Sequence, residues 1–157
     1  MEDYVNQAQQ VMSRIAKDGL TTSQLRLFLS AVNAVNGKVE QYKNRTEGAA
    51  PTKLSPELAM QVKFLKVKLA YQIGRAESRR GNPIKDFERE AQLMRRIDAI
   101  GDDIRKYEDF ALYMEALVAF HKFYGGKDWY GTGTTLRETH HQSHAHGRDG
   151  ASHRRVE

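Results

Sequence analysis

SPELAMQVKFLKVKLAYQIGRAESRR, residues Ser55 to Arg80, decides the fold. At about 100° per residue, Leu58, Val62, Leu65, Leu69, Ile73 and Ala76 fall on one narrow face, and Met60, Phe64, Val67 and Tyr71 on a second, nearly opposite one. A helix with two apolar faces predicts burial on both sides. Two polar seams run between the faces: Lys63 and Lys66 on one side, and Gln61, Lys68, Gln72, Arg75 and Arg79 on the other. Ser55 as N-cap and Pro56 at the first helical position predict the start, and Gly81-Asn82-Pro83 predicts the end near residue 80.

Upstream, Val5, Ala8, Met12 and Ile15 recur at helical spacing before Gly19. Thr21 and Gln24 form a capping box, with Leu20 and Leu25 placed for a hydrophobic staple. This predicts a second helix from Thr22 to about Asn44, with Leu25, Phe28, Leu29, Val32, Val35, Val39 and Tyr42 inward. Residues 45 to 54 read as a loop around Gly48 and Pro51. Downstream, Ile84, Phe87, Ala91, Met94, Ile97, Ile100 and Ile104 predict one continuous helix to about Lys106. A last helix, apolar nearly all round, is expected from an Asp109 cap to Tyr124, stopped by Gly125-Gly126. Such a helix is buried on several sides or covers a partner.

The predicted fold is all-α: a compact bundle of about five helices over residues 1–128, followed by a flexible, disordered His-rich tail over 129–157 that has almost nothing to bury. The 157 residues suit one domain with a real core. No apolar run approaches the ~20 residues needed to span a bilayer, and the start lacks signal-peptide character. The expected setting is therefore cytoplasmic, with no membrane contact. The absence of cysteine excludes disulfides, cysteine-ligated zinc and a thiol nucleophile.

Net charge is +5, and residues 53–80 alone carry that whole excess. A basic stripe favours polyanions, while a solvated lysine face explains the charge equally well. Lys53, Lys63, Lys66, Lys68, Arg75, Arg79, Lys122 and Lys127 are the candidate phosphate contacts, of a kind that binds without reading sequence. Phe64 and Tyr71 are expected in the core rather than as stacking platforms.

Other chemistry is thinly supported. His140, His141, His144 and His146 could hold a transition metal, yet a tail without orienting partners suits adventitious affinity better than a built site. His121 is followed at once by Lys122, a spacing that fails the pattern of phosphotransfer bundles; a structural histidine is expected, with phosphate contact second. Asp102-Asp103 and Asp86 with Glu90 sit among cations as ordinary ion-pairing groups. No GxGxxG, Walker loop, HExxH or GxSxG occurs, so neither a catalytic site nor a cofactor is expected.

The blocks LTTSQLRLFLSAV (Leu20–Val32), KLSPELAMQVKFLKVKLAYQIGR (Lys53–Arg75) and EALVAFHKFYGGKD (Glu115–Asp128) resemble the small subunit of the type III-A CRISPR effector, the Csm complex. The resemblance spans about residues 20–128. It implies a helical bundle without an active site, stacked in several copies as a head-to-tail filament beside the backbone subunits. It further implies contact with the backbone of guide RNA paired to target RNA. The eight basic residues named above are the positions carried over, with the Lys68, Arg75 and Arg79 side expected to face RNA. An adaptor bundle that binds an acidic protein and no nucleic acid is the alternative.

Overall fold

The computed structural model of the chain describes residues 3–128. The tail and its histidine cluster therefore lie outside the described residues. Six helices occur within them: α1 (Tyr4–Ile15), α2 (Thr22–Arg45), α3 (Pro56–Arg75), α4 (Pro83–Ala91), α5 (Leu93–Ile100) and α6 (Ile104–Phe123). The all-α expectation holds, with one helix more than the sequence suggested.

The centre of the bundle is α6, which packs against α1, α2 and α5. Tyr107, Tyr113, Met114, Leu117 and His121 on it are fully buried. Each large apolar side chain so covered contributes on the order of 2 kcal/mol. The two tyrosines keep their hydroxyls satisfied in the core: Tyr107 donates to the Val32 carbonyl at 2.7 Å and Tyr113 to that of Ala91 at 3.2 Å. Leu112 and Phe123 remain exposed, so α6 is covered on most sides but not all.

Helix starts follow the sequence closely. The Thr21 hydroxyl accepts from Gln24 N at 3.1 Å, and the Gln24 side chain accepts from Thr21 N at 3.0 Å, completing the capping box. Ser55 caps α3, with Pro56 at its first position.

Three boundaries depart from expectation. The predicted helix over residues 84–106 is broken at Gln92, which takes a left-handed conformation (φ 56°). The break buries both Ala91 and Leu93. Two residues apart, they would lie some 200° apart on a continuous helix. The phase shift replaces the expected Met94 by Leu93 as the core residue. Side chains serve the interrupted backbone: Arg96 Nε donates to the Ala91 carbonyl at 3.1 Å, and the Glu88 carboxylate accepts from Met94 N at 3.3 Å.

The last helix starts at Ile104, capped by Asp103 after Gly101 (φ 56°), so Asp109 lies inside the helix and caps nothing. Leu54 N donates to the Asp102 carbonyl, and Ile104 N to the Thr52 carbonyl, which ties the α2–α3 loop to this turn. Finally, α3 ends at Arg75 rather than near residue 80: Asn82 Nδ2 donates to the Ile73 carbonyl at 2.7 Å, and Ser78 to Gly81 form a separate turn.

The largest departure concerns α3 itself. Leu58, Val62, Leu65 and Leu69 are buried against the bundle, but the second apolar face is open: Met60 is 62%, Phe64 52%, Val67 53% and Tyr71 70% exposed. Burial on both sides, and a core role for Phe64 and Tyr71, are thereby corrected. The reason is topological: α2 and α5 flank α3, and no described helix covers its outer side.

Candidate nucleic-acid interface

The pairing of helices sets where the basic residues stand. Gln72 Nε2 donates to the Gln24 carbonyl at 2.8 Å and Lys38 Nζ to Gln61 Oε1 at 2.9 Å, so α2 and α3 are antiparallel. Contacts of Tyr107 with Val32, and of His121 with Thr22, make α2 and α6 antiparallel as well. The C-terminal ends of α3 and α6 therefore share one end of the bundle with the N-terminal end of α2. Arg75, Lys122 and Lys127 belong to that end. Lys53, beside Asp103, belongs to the other.

The two seams of α3 are unequal. On the α5 side, Lys66 Nζ lies 2.6 Å from the Asp98 carboxylate, so its charge is already paired; Lys63 is exposed and unpaired among the described residues. On the α2 side, Lys68 and Arg75 line one groove and have no carboxylate within ion-pair distance among the described residues. Arg79 is exposed in the turn beyond the helix and is likewise unpaired there.

Lys122 is paired with Asp128 at 2.8 Å, and this hydrogen bond is the main cause of a lowered Asp128 pKa. Lys127 is exposed, while its backbone carbonyl accepts from Thr22 N at 2.8 Å. Ser23 N donates to the Asp128 carbonyl at 3.1 Å, so the segment after α6 satisfies first-turn donors of α2. Arg26 lines the same hollow as Lys122 and Asp128 and was not singled out by sequence, where it is one surface arginine among many.

His121 is structural. It is fully buried, with Nε2 2.7 Å from the Leu20 carbonyl and Nδ1 3.4 Å from the Thr22 hydroxyl. A carbonyl only accepts, so the neutral ring carries its hydrogen on Nε2. Burial, the leading cause, lowers its pKa, with Lys122 adding to the effect. It is closed to phosphate contact. Among the described residues no group of three or more His, Asp or Glu side chains is placed to hold a metal ion. No helix among the described residues is long and apolar enough to cross a membrane.

The family model described as Csm2 Type III-A matches residues 1–127, which takes in all six helices. The chain belongs to the Csm2 Type III-A family, small subunits of a CRISPR complex. It is 35% identical over 132 residues to the CRISPR system protein Csm2 of Streptococcus thermophilus, covering 81% of this chain and 95% of that one. It is 34% identical over 130 residues to Csm2 of Mycobacterium tuberculosis strain H37Rv, with the same coverage of 81% and 95%. Csm2 of Enterococcus italicus is 33% identical over 109 residues, 68% of this chain and 69% of its own. The Csm2 match stops at residue 127, ahead of the five tail histidines.

Proposed function

We propose that this member of the Csm2 family is a non-catalytic RNA-binding component of the type III-A ribonucleoprotein. Several copies stack head to tail beside the backbone subunits and contact the backbone of the guide RNA–target RNA duplex, in cytoplasmic antiviral defence. The observation that carries the reading is the run of unpaired cations along α3 and the turn after it: Lys68 and Arg75 on the helix and Arg79 in the turn are exposed without an ion-pair partner among the described residues. Such cations attract phosphate through counterion release and do not distinguish base sequence. Lys66 and Lys122 contribute less, because Asp98 and Asp128 already neutralise them.

The test is a charge reversal. Lys68→Glu, Arg75→Glu and Arg79→Glu together should abolish binding of a labelled guide–target duplex while helicity by circular dichroism stays at the parent value. Retained duplex binding in that folded variant overturns the assignment of this side.

A further inference from the structure

Phe64, Lys68, Tyr71 and Arg75 stand at i, i+4, i+7 and i+11 of α3, an order that alternates aromatic, cation, aromatic, cation along one line of the helix. All four are exposed. At 1.5 Å per residue their spacings along the axis are about 6, 4.5 and 6 Å. The row forms one wall of a groove of about 790 Å³ whose other wall is α2, where Ala31 and Ala34 leave space and Leu27 projects outward. None of the groove's lining residues carries a carboxylate.

An occupant must therefore combine flat apolar surfaces with negative charge, alternating on the same scale. An isologous contact with a second copy would gather the Lys68 and Arg75 cations of both grooves with no lining carboxylate to offset them, which is unfavourable. We infer that this groove is a stacking platform for single-stranded RNA, with bases laid on Phe64 and Tyr71 and phosphates held by Lys68 and Arg75. The two rings are about 10.5 Å apart along the axis at 1.5 Å per residue. Bases stacked in a strand rise only about 3.4 Å, so the platform takes splayed bases, as single strands present them and a duplex does not.

The inference rests on the RNA-binding reading of the same side of α3, and the test separates the two. Phe64→Leu and Tyr71→Leu keep apolar bulk but remove the flat ring. Binding of a short fluorescein-labelled oligouridylate and of a guide–target RNA duplex is measured by anisotropy for the parent and both variants. Self-association is followed by sedimentation. Each leucine variant should weaken oligouridylate binding by about 5- to 100-fold, leave the duplex affinity and the sedimentation profile at parent values, and recover oligouridylate binding when Tyr71 is changed to Phe or Trp instead. Parent-like oligouridylate binding by the leucine variants overturns the platform. If Lys68→Glu and Arg75→Glu still lose duplex binding, the broader reading stands. Loss of self-association with oligouridylate binding unchanged also overturns it, and assigns the stripe to a second copy. Failure of the parent to bind either RNA ends both.

Discussion

Lys66 on α3 reaches across to Asp98 on α5 at 2.6 Å, and this pair divides the two basic seams of the helix. On one seam Lys66 is spent on this contact between helices, and Lys63 alone is unpaired among the described residues. On the other, Lys68 and Arg75 are exposed and have no ion-pair partner among the described residues.

Lys66→Ala should accordingly change little. The pair is partly exposed, with side-chain accessibilities of 36% and 59%, and solvent-screened bridges of this kind stabilise by about 0–1 kcal/mol. Urea denaturation should show a loss of unfolding free energy in that range, and RNA affinity should fall less than in Lys68→Ala. An affinity loss equal to or greater than that of Lys68→Ala would reverse the ranking of the seams.

Gly126→Ala should be damaging. A Cβ at this position would overlap the ring of His121, which is itself fully buried and hydrogen-bonded on both nitrogens. Overpacking of a filled interior costs about 1–3 kcal/mol. Because the segment after α6 also binds the first turn of α2 through Thr22 N and Ser23 N, hydrogen exchange at those amides should accelerate with the loss of stability.

His121 gives the fold an acid dependence. Its pKa is lowered in the folded chain, chiefly by burial, so the unfolded chain takes up the proton first as pH falls. The stability is fully present above the unfolded value near pH 6.5 and declines as pH drops from there toward the lower folded value. The decline should appear as a falling urea midpoint below about pH 6.5. It should be much reduced in His121→Gln, although that variant starts lower. A parent midpoint flat between neutral pH and pH 5 would contradict the buried, neutral assignment.

Gln92→Gly should stabilise. Gln92 holds φ 56° between α4 and α5 with its side chain exposed. The left-handed conformation costs a non-glycine residue about 1–2 kcal/mol, partly offset by the extra chain entropy glycine brings to the unfolded state. A net gain of a few tenths to about 1 kcal/mol in thermal or urea unfolding is the expected outcome.

These residues also show where sequence suffices. The starts of α2 and α3 were legible because capping is local: Thr21, Gln24, Ser55 and Pro56 act within four residues. The break at Gln92 was not, since Ala91, Met94 and Ile97 keep helical spacing across it and only the tertiary demand to bury Leu93 reveals the shift. The end of α3 was set by a side chain nine residues away, Asn82 on Ile73. Likewise Lys66 and Lys68 look alike in sequence and differ only through Asp98, 32 positions on.

The second apolar face of α3 is the most instructive case. Met60, Phe64, Val67 and Tyr71 were visible as a stripe, but periodicity states that a face is apolar, not that anything in the same chain covers it. With α6 at the centre and α2 and α5 beside α3, the stripe faces outward. Phe64, Val67 and Tyr71 of this open face line the groove proposed to hold RNA.

The central claim, that the unpaired cations of α3 and the turn after it hold RNA phosphates, is tested most directly by a salt titration of the parent chain with labelled guide–target RNA duplex. Neutralising three phosphates predicts a linear log–log plot with a slope of about −2 to −3, shallower by roughly one for each of Lys68→Ala, Arg75→Ala and Arg79→Ala. An absence of RNA binding at every salt concentration, or binding whose slope those three variants leave unchanged, would contradict it.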